Sequence, residues 1–548
     1  MTKNIARVVA AGSILLLAPA LVLAQHPKIA PDLEGRAANS TVDVIVRFQS
    51  APGAEQHQRI LARGGRLNTD LGSMQAGAYR IAVSALQDLA NDPDVVYIAP
   101  DRPLRGLLDN AAAAVNADIV KSYGLTGAGI GVAVIDSGVS HDPDLYGNRV
   151  VYEESFLGDR TTSDPYGHGT HVAGIVGGTG KKSGGRYAGI APGANLVNLR
   201  VLDQNGAGAD STVMAAIQRA IQLKSRYNIR VINLSLGRAV FESYTLDPLC
   251  QAVEAAWKAG IVVVVAAGNE GRNNSVNTHG YGTIGAPGDD PYVITVGAMK
   301  TMGTPARTDD LIASYSSKGP TAIDHIVKPD LVAPGNCVVS ILDKGSTLAS
   351  EFPGNTVSNF YFQLSGTSMA TPMVSGAAAL LLQAQPGLNP DQLKARLMKT
   401  AYKQFPVSSL ATDPVTAQQY QSYYDVFTVG AGYLDIAAAL ANNDVAVGYA
   451  LSPSAVFDET TNTVKLAPTA GLENIQAIWG SVAVWSAQVI WGEAIWGDQA
   501  VWGDQVLWGD QVIWSDAVAV GSLWGSQAPW ASATTSSEST GIAINGEN

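Results

Sequence analysis

The hydrophobic positions of residues 108–441 come in near-continuous runs, not in alternation with polar positions. The four clearest runs are residues 130–136, 194–202, 229–237 and 260–268. Segments with helical spacing lie between runs, at 211–227 and 247–260. Strands without polar alternation that are joined by helices form parallel sheets covered on both faces. The pattern therefore predicts an α/β fold, with ligands bound beyond the carboxyl ends of the strands.

Residues 41–104 show a different pattern, because many of their apolar positions alternate with polar ones. Strand, helix, strand, helix and strand are predicted in turn at 41–48, 54–65, 78–83, 84–92 and 95–101. This order indicates a small α+β unit that precedes the α/β region. A generic α+β binding domain would show the same pattern.

Residues 1–24 have the pattern of an export signal. Lys3 and Arg7 precede an apolar stretch, and Ala24 follows it as a small residue suited to cleavage. An uncleaved membrane anchor is the alternative, although the stretch is short and contains Pro19. We therefore expect a secreted, extracellular protein, with retention at the cell surface as a further alternative.

Tryptophan is concentrated near the end of the sequence. Nine of the ten tryptophans lie between Trp479 and Trp530, mostly six apart, and define a repeat region at residues 475–530. An even period aligns side chains on a strand but not on a helix, which favours short strands and turns. A stacked β ladder, a low-complexity or cell-retaining segment and a surface that contacts a polymer all stay open. Residues 442–474, rich in Ala, Asn, Pro and Thr, are predicted to be a linker.

Composition narrows the classes of partner. The 548 residues carry a formal net charge of −12 and contain no long basic run, which argues against nucleic acid as a ligand. Hydrophobic residues make up 46% and charged residues 15%, a balance that supports a large folded core. Cys250 and Cys337 are the only cysteines, and they either form one disulfide or serve as small core residues.

Three polar residues stand where strands and helices are predicted to end or begin. Asp136 closes an apolar strand, His168 lies between glycines before a helical segment, and Ser368 begins a strongly apolar helix. Each alone has an ordinary role, as turn former, solvated histidine or helix cap. Together they supply a nucleophile, a base for its proton and a carboxylate that orients the base. Asn269, just past another strand, can offer its amide to a developing oxyanion.

Six segments of the sequence resemble those of the subtilisin-like serine peptidases, over about residues 125–400. They read AVIDSGV, GHGTHVAG, INLSLG, AAGNEG, KPDLVAPG and GTSMATP, in the order of that family. The resemblance implies a three-layer subtilisin-like fold and an endopeptidase that hydrolyses polypeptide substrates through an acyl-enzyme. It also implies that Asp136, His168 and Ser368 are the catalytic triad and that Asn269 is the oxyanion donor.

The resemblance extends to segments that contact substrate in the family. It implies an exposed edge strand that pairs with the extended substrate, and two walls of a specificity pocket. The edge segment is Gly206, Ala207 and Gly208, and the walls are Ser235, Leu236, Gly237 and Ala266, Ala267, Gly268. Small residues in the walls predict room for a large apolar or aromatic substrate side chain.

By the same resemblance, residues 41–104 are similar to an inhibitory propeptide, which assists folding and then blocks the cleft as an intramolecular partner. Self-cleavage is then expected around residues 105–110. The alternative function is a catalytically silent binding or adhesion protein that acts through the tryptophan repeat.

No cofactor is expected to be required. A structural calcium ion is allowed for without assigned ligands, because Lys181 and Lys182 stand in the loop that complements Asp144 in the family. His171 follows His168 by three residues, a spacing that also suits zinc, but no third ligand is apparent.

Overall fold

The computed structural model describes residues 26–30, 33, 37–100, 107–118, 123–145, 147, 149–274, 278–413, 416–458, 463–466 and 546–547. The chain divides into two compact units, Met1–Leu104 and Arg105–Asn548. The predicted export signal at 1–24 and the tryptophan repeat at 475–530 lie outside the described residues. Among the helices that are described, none combines the length and apolar character needed to cross a membrane.

The first unit is an antiparallel sheet with two short helices. Its elements are strands β1 (Thr41–Phe48), β2 (Arg66–Leu71), β3 (Ala76–Ala82) and β4 (Val95–Pro100) and helices α1 (Ala54–Ala62) and α2 (Leu86–Ala90). The strand order is β2, β3, β1, β4. Val44 and Val46 point inward and are fully buried, which is why alternation predicts β1. The pattern does not predict β2, because this strand is polar, mostly exposed and at the sheet edge.

The second unit contains the predicted α/β region. Its strands are β5 (Gly131–Asp136), β6 (Val150–Ser155), β7 (Asn195–Arg200), β8 (Ile229–Leu234), β9 (Val262–Ala266), β10 (Ile294–Lys300), β11 (Leu311–Ile312), β12 (Leu331–Pro334), β13 (Val338–Ile341), β14 (Thr356–Ser358), β15 (Tyr361–Leu364), β16 (Ser408–Thr412), β17 (Gln419–Tyr423), β18 (Ala455–Asp458) and β19 (Thr463–Leu466). Its helices are α3 (Leu107–Ala114), α4 (His168–Gly177), α5 (Asp210–Tyr227), α6 (Pro248–Lys258), α7 (Thr347–Glu351), α8 (Thr367–Ala384), α9 (Pro390–Thr400), α10 (Val426–Val429) and α11 (Ile436–Ala441).

The main sheet of the second unit has eight strands. Seven follow the order β11, β10, β9, β8, β5, β7, β6, and β12 also pairs with β10. All of these pairings are parallel except that of β11 with β10. Strands β5, β9 and β10 are buried at every position. Such strands need cover on both faces, which explains why they appear in the sequence as continuous apolar runs.

Two pairs of helices cover this sheet. Helix α4 packs with α8, helix α5 packs with α6, and α4, α5 and α8 each contact β5. Helix α5 ends where Asn228 adopts a left-handed φ of 47°, and α6 begins behind Asp247, whose carboxylate caps its first turn. The predicted α/β fold, with a mostly parallel sheet between helices, is confirmed.

The segment predicted as a linker, residues 442–474, falls within the second unit, and its described residues are hydrogen-bonded to α9. The guanidinium of Arg396 donates to the carbonyl of Asp444 at 2.8 Å, and the N–H of Ala450 donates to Asp391 at 2.8 Å. Strands β18 and β19 then form an antiparallel hairpin. Composition does not reveal these contacts, because several of them use backbone groups that nearly every residue has.

A buried cluster of charges ties α9 to the sheet. Asp330 lies 2.8 Å from the ammonium of Lys328 and 3.2 Å from that of Lys394, and all three side chains are fully buried. The hydroxyl of Ser452 donates to Asp330 at 2.5 Å, which brings the predicted linker into the same cluster. Burial favours a protonated Asp330, but the two lysines outweigh it and hold the pKa of this carboxyl below its ordinary value.

We expect the Asp330→Ala variant to lose about 3 to 5 kcal/mol of unfolding free energy at neutral pH, because two buried ammonium groups lose their carboxylate. Urea unfolding followed by circular dichroism measures this change. Asp444→Ala, which removes an exposed carboxylate bonded to Lys399, is the control and should change the unfolding free energy far less. Equal effects of the two substitutions would contradict the assignment.

Candidate active site

The parallel pairing brings three candidate residues to one edge of the sheet. Strands β5, β8 and β9 are neighbours and run in the same direction. Asp136 is the last residue of β5, Ser235 directly follows β8, and Asn269 lies three residues beyond β9. These residues therefore meet at the carboxyl edge of the sheet, where ligand binding is predicted.

Asp136 and His168 form a buried pair. Nδ1 of His168 lies 2.8 Å from Oδ1 of Asp136, and the two side chains are 4% and 1% exposed. The N–H of Ser137 donates to the same carboxylate oxygen at 2.7 Å. Because the carboxylate accepts the Nδ1 hydrogen, it holds the ring in the tautomer whose Nε2 is able to take a proton.

Two glycines allow this close approach. Gly167, the residue before α4, has a φ of 101°, which favours glycine. A Cβ on Gly169 would lie only 2.3 Å from the carbonyl oxygen of Gly138. The sequence Gly-His-Gly is thus required by the turn that carries His168 to Asp136.

Asp164 fixes the start of α4, although it stands in none of the motifs recognised in the sequence. Its carboxylate accepts hydrogen bonds from the Ser137 hydroxyl at 2.8 Å and from the N–H groups of Gly167 and Thr170 at 2.7 Å. Gly167 has no side chain to cap the helix, so Asp164 does this from outside it. Burial raises the pKa of Asp164 above its ordinary value. An acid four residues before His168 was the available signal, but acids are common in turns.

The pKa of His168 reflects opposing effects. Burial favours the neutral ring and lowers the pKa, whereas the charge and hydrogen bond of Asp136 and the charge of Asp164 raise it. The net result is a pKa above the ordinary value of 6.5.

Ser368 lies in the first turn of α8 and is bonded to the end of β8. Its hydroxyl donates to the carbonyl of Ser235 at 3.1 Å, and the hydroxyl of Ser235 donates to the carbonyl of Ser368 at 2.8 Å. This reciprocal pair joins the start of α8 to the carboxyl edge of the sheet. The position also places the Ser368 hydroxyl near the positive end of the helix dipole.

The side-chain amide of Asn269 is oriented by Thr367. Oδ1 of Asn269 accepts from the N–H of Thr367 at 2.9 Å and from its hydroxyl at 3.1 Å. Its Nδ2 is buried and has no hydrogen-bond partner among the described groups. Because Oδ1 is held by the residue before Ser368, Nδ2 is left as a donor beside the start of α8.

The described residues thus supply each group that acyl transfer needs: a hydroxyl nucleophile, an imidazole base, a buried carboxylate and an oriented amide donor. At the carboxyl edge of the sheet, Asp136 is hydrogen-bonded to His168, and Ser368 is hydrogen-bonded to Ser235. Thr367, the residue before Ser368, is hydrogen-bonded to Asn269.

The two predicted pocket walls lie side by side at this edge. Ser235, Leu236 and Gly237 follow β8, and Ala266, Ala267 and Gly268 end or follow β9. Gly268 has a φ of 109°, and a Cβ there would lie 2.7 Å from the hydroxyl of Ser317. The two walls lie next to each other because β8 and β9, the strands they follow, are paired in parallel.

The segment Gly206, Ala207 and Gly208 does not form the predicted edge strand in the described structure. The N–H of Ala207 donates to the Asp203 carboxylate at 3.0 Å, and its carbonyl accepts from the Asp203 N–H at 2.8 Å. In this conformation the Asp203 side chain closes a turn that uses the Ala207 N–H, and pairing of the segment with an extended substrate stays a prediction.

Residues 342–364, which include α7, β14 and β15, pack next to the turn before His168. The N–H groups of Thr347 and Leu348 donate to the carbonyls of Pro165 and Tyr166, at 2.9 and 3.1 Å. This segment therefore supports the loop that leads into α4.

Asp144, the carboxylate considered for calcium, and the nearby Asp142 are already bonded to protein groups. The ammonium of Lys182 lies 2.7 Å from the Asp142 carboxylate. The backbone N–H of Lys182 donates to the Asp144 carboxylate at 3.2 Å. The hydroxyls of Tyr361 and Thr179 also donate to Asp144, at 2.5 and 3.2 Å. A lysine ammonium among these oxygens does not fit a calcium site. Elsewhere in the described chain, no group of three or more His, Cys, Asp or Glu side chains is arranged to hold a metal.

The remaining candidates have structural positions. Nε2 of His171 lies 3.0 Å from the carbonyl of Phe362, and burial lowers the pKa of His171 to about 3. Cys250 and Cys337, both within the described residues, are not joined in a disulfide. The Sγ of Cys250 is buried and donates to Asp289 at 3.3 Å.

The chain is similar to several known proteins. The Subtilase family (Peptidase_S8) matches residues 127–432. Serine protease AprX of Bacillus subtilis (strain 168) is 36% identical over 373 residues, covering 65% of this chain and 82% of that protein. Subtilisin E of the same organism is 34% identical over 354 residues, covering 64% of this chain and 81% of that protein. A crystal structure of a cold adapted subtilisin-like serine proteinase matches 51% of this chain and 85% of its own at 31% identity, with a TM-score of 0.39.

The family match and the two relatives show a serine-type endopeptidase that acts on polypeptides. Since the family match covers more than half of the sequence, the chain belongs to the subtilase family.

We expect Asn269→Ala to lower kcat about 10²- to 10³-fold, because an oriented donor to the oxyanion is lost. Steady-state hydrolysis of a chromogenic peptide measures this, and thermal unfolding checks that the variant folds. Asn443→Ala, an exposed position, should retain normal turnover. Normal turnover of Asn269→Ala would contradict its role.

The pH dependence should report the Asp136 to His168 pair. Only neutral His168 is able to act as a base, so kcat/KM should rise with pH through a pKa above 6.5. In Asp136→Asn the carboxylate charge that raises the pKa of His168 is lost while the ring stays buried, so the acidic limb of the kcat/KM profile should move to lower pH. The rate should also fall about 10⁴-fold. Exposed Asp309→Asn is the control, and an unmoved limb in Asp136→Asn would refute the pairing.

Proposed function

We propose that this chain is a secreted, self-maturing serine endopeptidase that uses Asp136, His168, Ser368 and Asn269. The observation that carries the proposal is the orientation of Asn269, whose Oδ1 is bonded to Thr367 while its buried Nδ2 is left as a donor. A purely structural asparagine would be expected to satisfy both ends of its amide.

In this proposal Ser368 Oγ attacks the carbonyl carbon of the scissile bond and gives its proton to Nε2 of His168. Asn269 stabilises the negative charge on the carbonyl oxygen. The carbon–nitrogen bond then breaks, and His168 passes the proton to the leaving amine. Water repeats the sequence with the same base, and the acyl group leaves Ser368 as a carboxylic acid. Asp136 stabilises the imidazolium throughout.

The substrate side chain before the scissile bond would enter between the segments that follow β8 and β9. Both segments consist mostly of small residues, and Leu236 supplies an apolar wall. Such a pocket suits a large apolar or aromatic side chain.

The first unit would act as an inhibitory propeptide. It has its own core, which includes Val44, Val46 and Ile98, and a complete antiparallel sheet. The boundary between the two units falls between Leu104 and Arg105, at the start of the predicted cleavage region 105–110. Both features suit a segment that folds as a unit and is then cut away.

The export signal and surface contact by the tryptophan repeat also belong to this proposal, and their support is the sequence pattern. The alternative of a catalytically silent adhesion protein is not favoured, because the family match includes all four proposed catalytic residues.

Self-processing is tested by the Ser368→Ala variant, which lacks the nucleophile. We expect it to accumulate with the first unit attached, whereas the wild type loses that unit, and intact-mass spectrometry distinguishes the two. A fluorophosphonate probe should label Ser368 in the mature wild type.

The control is Ser225→Ala, an exposed hydroxyl on α5 that should mature and label normally. Maturation of purified Ser368→Ala in isolation would refute self-processing. Absence of label from mature wild type would favour the silent adhesion protein.

A further inference from the structure

Near the end of the sequence, Glu547 is buried in the second unit although it follows the tryptophan repeat. Its side chain is 4% exposed. A carboxylate is almost never buried to this degree without partners. The residues around it are therefore informative about what this part of the unit binds.

Two buried cations face this carboxylate. The guanidinium of Arg272 donates to Oε1 of Glu547 at 2.6 Å, and the ammonium of Lys300 lies 3.0 Å from Oε2. The Arg272 and Lys300 side chains are 8% and 5% exposed. The N–H of Ser314 donates to both oxygens at 3.1 Å, and its hydroxyl donates as well.

The backbone of Glu547 is held too. Its N–H donates to Oδ1 of Asn336 at 2.9 Å, and Nδ2 of Asn336 donates to its carbonyl at 2.9 Å. Through this pair of hydrogen bonds, the side-chain amide of Asn336 binds both backbone groups of one peptide residue. Gly546 fits closely, because a Cβ there would lie 2.2 Å from Sγ of Cys337.

The charges balance only when the glutamate is present. Arg272 also pairs with Asp413 at 3.0 Å. Among the described residues, Lys300 has Glu547 as its ion-pair partner. Burial alone would raise the pKa of Glu547, but Lys300, Ser314 and Arg272 outweigh it and hold the pKa below its ordinary value. Without a carboxylate the cluster would bury an excess positive charge.

The cluster borders the catalytic segments. Arg272 lies three residues after Asn269, and the N–H of Gly366 donates to the carbonyl of Gly335, the residue before Asn336, at 2.8 Å. A Cβ on Gly546 would also lie 2.9 Å from the hydroxyl of Ser365, three residues before Ser368.

We propose that Arg272, Lys300, Ser314 and Asn336 form a binding site for a peptide glutamate, and that Gly546–Glu547 of this chain is its occupant. The site recognises the carboxylate by two cations and the backbone by one asparagine. It thereby holds Gly546 and Glu547, which follow the tryptophan repeat, against the second unit, beside the residues that precede Ser368.

The test uses alkylation of the half-buried Cys337, because Gly546 lies against its sulfur. Cys250, which is 0% exposed, is the internal reference. All chains carry Ser368→Ala so that the tail is not cut. In Glu547→Gln we expect iodoacetamide to alkylate Cys337 about tenfold faster, since loss of a buried charge pair favours local opening. Arg272→Gln should speed the alkylation of Cys337 by a similar factor, and the double variant should speed it no more than either single variant. The control Glu242→Gln, at an exposed position, should leave the alkylation rate unchanged.

Unchanged alkylation of Cys337 in Glu547→Gln would overturn the proposal, as would independent, additive effects of the two substitutions. A rise shared by Cys250 would show that Glu547 supports the whole fold and would overturn a discrete site. Neither outcome bears on peptide hydrolysis, because the readout is a thiol reaction.

A peptide in trans tests the ligand class. In the Glu547→Gln chain, millimolar acetyl-Gly-Glu-Asn-amide should slow the alkylation of Cys337, and acetyl-Gly-Gln-Asn-amide should not. Equal protection by both peptides, or by neither, would overturn the recognition of a carboxylate.

Discussion

The parallel pairing of β5, β8 and β9 is the constraint on which the site depends. Because the three strands run in the same direction and are neighbours, the residues that follow them meet at one edge. The buried strands are rigid, so side chains at their ends are held in fixed positions. Helices α4 and α8 pack together on the same sheet and bring His168 and Ser368 to that edge through bonds to Asp136 and Ser235.

The parts of the fold that are buried on both faces could be predicted from the sequence. Strand β9 is five buried apolar residues, and its hydrophobicity alone indicates its position. Strand β2 could not be predicted because it is polar and mostly exposed at the sheet edge, and the hairpin of β18 and β19 lies in a stretch whose composition is that of a linker. Asp136, His168, Ser368 and Asn269 stand in short, specific motifs, so the sequence was enough to select them. Asp164 was missed because two of its three partners are backbone N–H groups, which every non-proline residue carries.

Several charged side chains of the second unit are buried in complementary sets. Asp330 has two lysines, and Arg272 has two carboxylates. Each set joins segments far apart in the sequence, so removing one member leaves a charge that water does not reach. Spacing along the chain does not reveal such sets, whereas the Asp-His-Ser order could be recognised because each member lies within its own motif.

The contacts of Glu547 have a topological consequence for the residues between Leu466 and Gly546. The hairpin before this stretch is continuous with chain bonded to the peptidase unit, and Glu547 after it is bonded to the same unit. The residues on both sides of this stretch are thus bonded to the second unit, so a single cut between Leu466 and Gly546 would release no fragment while the Glu547 contacts persist.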